Sequence, residues 1–200
     1  MSSAYQEAQR VGQAALRTAI LDAATRLLVI EGAAEFTVRR VAAEVGSSTK
    51  VIYTMFGGKD GLGEALFREG FVRLGRAQES VPLDPDPVAY VIALGTVYRE
   101  FALAQPDYYR MMFEQAAPSC IRAPETVAAA EATLAKLRSA VDSCIDAGAF
   151  GRIDAGEVAE ILWAAWHGAV SLELSGHFPQ EGAAHRYERL VAAVVRAFRV

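Results

Sequence analysis

The sequence predicts an all-α protein of about nine helices. Ala, Leu, Arg and Glu are abundant, whereas β-branched residues rarely alternate at the period of two that strands require. Apolar residues make up 52% of the 200 residues, which is enough to bury a large core. Three prolines within residues 82–87 forbid a continuous helix there. They predict a boundary between two helical domains, residues 14–80 and residues 86–200.

The N-terminal domain opens with a polar segment, residues 1–13, which we expect to be disordered. The first helix is predicted over residues 14–31, because its apolar residues recur every three to four positions and Gly32 follows. Thr37 is placed to cap a second helix, and Gly46 can adopt the positive φ that ends it.

A third, short helix is predicted over Thr49–Phe56, with Ile52 and Phe56 facing inward. Two short helices joined by a glycine-containing turn form a helix-turn-helix. The outward side chains of the third helix are hydrogen-bond donors, one of them cationic, which suits DNA phosphates and base edges. A plain helical hairpin would show the same periodicity. The outward residues are Thr49, Lys50, Tyr53 and Thr54.

Four pieces of this region match a known pattern in order: TVRRVAAEVG at 37–46, Ser48, IYTMF at 52–56 and KDGL at 59–62. Together they resemble the N-terminal domain of TetR-type bacterial transcriptional regulators over roughly residues 17–66. The resemblance implies sequence-specific DNA binding by the third helix, with the Tyr53 hydroxyl on a phosphate. The positions that match base- and phosphate-contacting residues of the family are Ser48, Thr49, Lys50, Tyr53 and Thr54.

Thr37, Arg39 and Lys59 complete the predicted DNA-binding set. Arg39 and Arg40 are consecutive and point about 100° apart, so at most one of them faces DNA squarely. Lys59 would place a cation at the N-terminus of the fourth helix, where free backbone N–H groups favour a phosphate. Several residues in or beside the third helix depart from the family's usual pattern and bear on the operator sequence: Ser47, Lys50, Val51, Met55, Gly57 and Gly58.

The C-terminal domain is predicted to follow a linking fourth helix, residues 59–78. The eighth helix is apolar on almost all sides and rich in small residues, so it must be buried on several sides. A second chain can supply part of that burial, and we expect a homodimer through the eighth and ninth helices. The predicted C-terminal helices cover 87–105, 107–113, 124–147, 155–175 and 185–198, with a loop over 114–123.

Trp166-His167-Gly168, with the aromatic and Met-rich segment 108–113 upstream, resembles the C-terminal domain of one TetR subgroup named for its Trp-His-Gly triplet. This resemblance implies ligand sensing and dimerisation. Ligand cavities are mostly apolar with a few orienting polar groups, although aromatic residues at helical spacing often just fill a core. The candidate lining residues are Tyr98, Phe101, Tyr109, Met112, Phe113, Trp163, Trp166 and His167.

The charge distribution and the absence of metal-binding or catalytic motifs argue against general polyanion binding, metal binding and catalysis. The formal charge of −4 divides into +1 over residues 1–60 and −5 over the remainder, which suits a modular DNA binder rather than a general polyanion binder. The histidines and cysteines lack metal-ligand spacing, and no catalytic triad order or phosphate-cradling glycine loop is present, so we predict no metal, no cofactor and no enzymatic activity. Cys120 and Cys144 are expected to be free thiols.

We expect a cytoplasmic protein without membrane contact. The first sixteen residues have no apolar signal segment. The apolar run Ile161–Leu172 is too short to span a bilayer.

The sequence therefore predicts a homodimeric repressor that a small apolar or aromatic ligand releases from a double-stranded DNA operator. One alternative is an activator or a ligand-independent regulator, in which the C-terminal half serves as core and interface. Another is a helical small-molecule-binding protein with a vestigial DNA head. The outward donors at Thr49 and Lys50 argue against that last interpretation.

Overall fold

The computed structural model describes residues 3–113 and 123–200, and these residues form nine α-helices and no strand. The all-α prediction is confirmed. The predicted loop over 114–123 lies, apart from Ala123, outside the described residues. The helices are α1 (Ala4–Ile30), α2 (Val38–Glu44), α3 (Thr49–Phe56), α4 (Lys59–Glu79), α5 (Pro87–Ala104), α6 (Pro106–Phe113), α7 (Pro124–Asp146), α8 (Ala155–Leu174) and α9 (Ala183–Arg196).

The start of α1 differs from the prediction. The helix begins at Ala4, so the expectation of disorder is wrong for residues 4–13. Ser3 and Gln6 form a capping box, in which each side chain accepts the other's backbone N–H. Glu7 and Arg10 add an exposed ion pair at 2.8 Å. A capped run of good helix formers is thus helical even though its side chains are solvent-exposed.

The caps that define the helix-turn-helix lie where the sequence predicts them. Thr37 caps α2 by accepting the Arg40 backbone N–H at 3.2 Å. Gly46, with φ of +65°, follows α2 and opens the turn that leads into α3. Gly57 ends α3 in the left-handed conformation. The predicted bounds of α3 are therefore confirmed, and α2 ends at Glu44, with Val45 as its C-cap immediately before Gly46.

By its contacts the chain separates into two compact units. The first comprises the described residues of Met1–Gly70 and Asp107–Val127, so α6 and the first turn of α7 belong with the helix-turn-helix. The second comprises Phe71–Pro106 and Ala128–Val200. The sequence-based limits at 80 and 86 stay a prediction about domain organisation.

In the second unit, α5, α8 and α9 pack on one another around a shared glycine. The Tyr187 hydroxyl of α9 donates to the Gly95 carbonyl of α5 at 2.7 Å. Trp166 of α8 covers the other side of Gly95, where a Cβ would lie only 2.9 Å from the indole ring. The absence of a side chain at Gly95 therefore permits the close approach of α5 and α8.

An ion pair is buried in the same unit. Arg99 of α5 donates from Nε and Nη2 to the two carboxylate oxygens of Glu173 in α8, at 2.8 and 2.6 Å. The hydrogen bond to Glu173 raises the pKa of Arg99, which keeps its guanidinium charged. The arginine also lies over the Tyr187 ring, 5.8 Å from its centroid. Burial raises the pKa of that tyrosine, so its hydroxyl stays protonated and able to donate.

Candidate nucleic-acid interface

The third helix presents its predicted donors to solvent. Ile52 is fully buried beneath the helix, and Phe56 is half-buried at its end. Ser48 occupies the N-cap position, yet its side chain makes no capping bond. Its hydroxyl and the outward side chains are therefore accessible to a ligand. The exposed residues are Ser48, Thr49, Lys50, Tyr53 and Thr54.

Tyr53 is held in position by the turn that follows α3. Gly58 has φ of +120°, and a Cβ added there would lie 3.2 Å from Tyr53 Cε1. The tyrosine ring therefore packs over a bare stretch of backbone. Even so, 58% of the residue is exposed, as a phosphate contact requires.

The two consecutive arginines of α2 have different surroundings. Arg40 pairs with Glu31 at 2.6 Å. Arg39 is exposed and has no ion pair among the residues that the structure describes. This division is compatible with the expectation that only one of the two faces DNA squarely.

The Lys59 side chain interacts with two residues of the first unit. Its Nζ lies 3.4 Å from the Ala33 carbonyl and 5.7 Å from the centroid of the Phe36 ring. The residue is nevertheless exposed at the start of α4. A phosphate contact by Lys59 stays a prediction, and it would have to compete with these two interactions.

The junction between α3 and α4 is unusually close. A Cβ on Gly61 would lie 1.8 Å from the backbone oxygen of Phe56, the last residue of α3. The Arg17 guanidinium of α1 lies 5.3 Å from the centroid of the Phe56 ring. The first turn of α4 is therefore placed directly against the end of α3.

The residues predicted to line a ligand cavity form several local groups. In the second unit, the Tyr98 hydroxyl and His167 Nδ1 are hydrogen-bonded at 3.0 Å, and the Trp163 and His167 rings are 5.7 Å apart. Trp163 is exposed over 36% of its surface, whereas Trp166 is buried. The indole N–H of Trp166 has no hydrogen-bond partner among the described residues.

Phe101 lines a different feature of the second unit. It belongs to an open groove of about 370 Å³ between α5 and the C-terminal part of α4. Its lining combines the apolar side chains of Val97, Phe101 and Ala104 with the charged side chains of Arg73, Arg76 and Glu100. Arg73 also donates to the Gln105 side chain at 3.0 Å.

The remaining candidates belong to α6 in the first unit. The rings of Tyr109 and Phe113 lie 5.2 Å apart. Met112 packs against Gly70 of α4 so closely that a Cβ there would lie 2.6 Å from its Sδ. A ligand role for these three residues stays a prediction.

Two family models match the chain. The model described as bacterial regulatory proteins, tetR family, matches residues 20–66. The model described as tetracyclin repressor-like, C-terminal domain, matches residues 91–198, which is more than half of the chain. The chain belongs to the TetR family of DNA-binding transcription regulators, which are not enzymes. The Trp-His-Gly subtype is compatible with the C-terminal match.

Solved structures share the fold. A protein of unknown function from Rhodococcus sp. RHA1 is 27% identical, with 92% of this chain and 96% of that chain covered and a TM-score of 0.75. A TetR family transcription regulator from Marinobacter aquaeolei VT8 is 21% identical, with 96% and 98% covered and a TM-score of 0.78. A TetR transcription regulator from Haloarcula marismortui is 20% identical, with 94% and 100% covered and a TM-score of 0.75. No curated protein matches the chain.

Two further properties concern only the described residues. None of their helices combines the length and apolar character needed to cross a membrane. Cys144 is a buried free thiol, and burial raises its pKa to about 11. Cys120 lies outside the described residues.

Proposed function

We propose that the protein is a homodimeric repressor that a small apolar or aromatic ligand releases from its operator. The observation that carries the DNA-binding part is the row of exposed donors on α3 above a buried Ile52. Each protomer would place α3 in a major groove, with the two half-sites about one helical turn, or roughly 34–36 Å, apart. Because DNA is the partner, the proposal includes a cytoplasmic location.

The first experiment is fluorescence anisotropy of labelled DNA that flanks the protein's own gene, with scrambled DNA as the control, at two salt concentrations. Specific binding that weakens with salt is expected, since phosphate contacts release counterions. Equal affinity for both DNAs would contradict an operator in that region, and the search would then move to selection from random DNA.

Tyr53→Phe is expected to weaken binding to every DNA sequence alike. The change removes one hydroxyl and leaves the ring on Gly58, so it deletes a phosphate contact without disturbing base readout. Anisotropy gives the affinities for operator DNA and for scrambled DNA. Both affinities should fall, and their ratio should stay constant. An effect confined to particular base pairs would refute the phosphate role.

Lys50→Ala is the companion test on the same helix. An exposed cation in the first turn of α3 meets either a phosphate or a base edge. We therefore expect either a smaller salt dependence or a loss of discrimination at one base pair, worth about 1–3 kcal/mol. If both quantities are unchanged, Lys50 does not face DNA.

The dimer part of the proposal is supported by an exposed apolar face on α8. Ile161 and Leu172 are 42% and 39% exposed, and Ala164 is exposed on the same side. At Gly168, between them, a Cβ would meet no described atom within 4 Å, so another helix has room to approach. Faces of this kind pair across a twofold axis in helical bundles.

Ile161→Glu is expected to convert the dimer to a monomer, because it places a charge in the apolar face that the proposed interface would bury. Ile92→Glu on α5 is the matched control, since Ile92 is exposed to a similar extent, 37%. Sedimentation velocity gives the mass of each variant. Dimers of both variants, or monomers of both, would contradict an interface centred on α8.

The effector part of the proposal rests on the aromatic groups of the second unit and on the groove that includes Phe101. Release requires only that the ligand bind one of two conformers better, by a few kcal/mol. A thermal-shift screen of apolar and aromatic compounds tests it. Compounds that raise the melting temperature should weaken DNA binding in the anisotropy assay. An activator would instead bind DNA more tightly with ligand.

A further inference from the structure

The side chain of Glu64 connects α4, the helix that follows α3, to the start of α7. It lies two turns or less from the junction with α3, and its carboxylate accepts two hydrogen bonds from the start of α7. One oxygen accepts the Ala123 backbone N–H at 3.2 Å, and the other accepts the Thr126 hydroxyl at 2.8 Å. All three residues belong to the first unit.

The arrangement completes a cap that α7 lacks locally. Ala123 occupies the N-cap position, because its carbonyl accepts the Val127 N–H, but its methyl group cannot accept a hydrogen bond. In a capping box, an acidic residue three positions later would accept the N-cap N–H. That position holds Thr126, whose hydroxyl donates to Glu64 instead. The Glu64 carboxylate, from α4, therefore accepts the N-cap N–H that no side chain of α7 accepts.

The same part of α4 also contacts the end of α3. Gly61, one turn earlier in α4, lies against the Phe56 carbonyl with no room for a side chain. The end of α3, the first turns of α4 and the start of α7 are therefore joined by close contacts. A displacement of the first turn of α7 would cost Glu64 both hydrogen bonds or would pull the start of α4 with it.

We propose that Glu64 is a positioning residue for DNA binding, which fixes the start of α4, and through it α3, against the first turn of α7. This inference rests on the proposed reading role of α3. A carboxamide could keep both hydrogen bonds, by accepting the Ala123 N–H and donating to the Thr126 oxygen, so Glu64→Gln tests whether hydrogen bonding is sufficient without the charge.

The test uses the full chain, four single variants and one double variant. Glu64→Ala removes both hydrogen bonds, and Glu64→Gln keeps the hydrogen-bonding capacity. Thr126→Val removes one of these hydrogen bonds by a change on α7, which leaves α3 and α4 unaltered in sequence. Thr133→Val is the matched control on the same helix, because its hydroxyl donates to the Ala130 carbonyl within α7 and to no other described residue. Circular dichroism first establishes that each variant is folded.

Hydrogen exchange of the amides in residues 59–66 is the primary measurement, and it needs no DNA. In Thr126→Val and Glu64→Ala, we expect these amides to exchange about three times faster, or more, than in the unmodified protein. In Thr133→Val and Glu64→Gln, we expect the exchange rates to be unchanged. Equal exchange in Thr126→Val and Thr133→Val would overturn the proposal. Because no operator is required, this outcome is separate from any failure of the DNA-binding assay.

The DNA affinities supply the second measurement. Thr126→Val should weaken operator binding about threefold or more although Thr126 is not on the reading helix, and Glu64→Gln should restore most of the loss seen in Glu64→Ala. The double variant Glu64→Ala/Thr126→Val should bind no more weakly than Glu64→Ala alone, since both changes break the same contact. Additive losses would overturn the coupling.

Discussion

Gly61→Ala is expected to abolish specific DNA binding and to lower the free energy of unfolding by about 3 kcal/mol or more. The new Cβ would lie 1.8 Å from the Phe56 backbone oxygen. A side chain could rotate away from such a contact, but a carbonyl at the end of α3 can move only if the helix moves. The change should therefore displace α3, the helix proposed to read DNA, relative to α4.

Gly75→Ala, in the same helix, is the control. No described atom lies within 4 Å of a Cβ at Gly75, so the substitution should be neutral or stabilising by up to about 1 kcal/mol through helix propensity. Chemical denaturation and DNA anisotropy together make the comparison. Normal DNA affinity in Gly61→Ala would show that the junction adapts without moving α3.

Glu173→Ala is expected to destabilise the fold by about 3–5 kcal/mol, because it leaves the Arg99 guanidinium buried without its partner. The side chains of the pair are only 17% and 8% exposed, and the contact is bidentate. The loss should appear as a lower denaturation midpoint at fixed protein concentration, because the proposed dimerisation would make the midpoint depend on concentration.

The exposed pair between Arg40 and Glu31 provides the comparison. Its contact distance is the same, 2.6 Å, but its side chains are 51% and 36% exposed. Glu31→Ala should therefore cost no more than about 1 kcal/mol. Similar losses for Glu31→Ala and Glu173→Ala would mean that burial does not set the value of these ion pairs.

The sequence predicts the helix-turn-helix well because its signals are local. Thr37, Gly46 and Gly57 are caps and turn residues that act on their immediate neighbours, so α2 and α3 could be delimited without tertiary information. The polarity of residues 4–13 favours disorder and so does not predict the extra length of α1. The Ser3–Gln6 capping box was the available signal.

The contacts that matter most between helices could not be predicted in this way. Arg99 and Glu173 are separated by 74 positions, and no periodicity joins them. Glu64 lies four residues before Arg68, a spacing that indicates an ordinary surface pair on one helix. Its actual partners, Ala123 and Thr126, are set by how α4 and α7 pack.

The two tryptophans differ in burial, so their intrinsic fluorescence can report on changes around α8. Trp163 is 36% exposed and Trp166 is 2% exposed, although only three positions separate them on α8. Their emission therefore combines a water-exposed component with a shielded one, and a collisional quencher such as acrylamide should reach mainly Trp163. Trp163 lies two positions after Ile161, about 200° around α8, and so points away from the apolar face proposed for the dimer. A ligand or partner that covers Trp163 should therefore shift the red component alone, and its binding can be followed without a label.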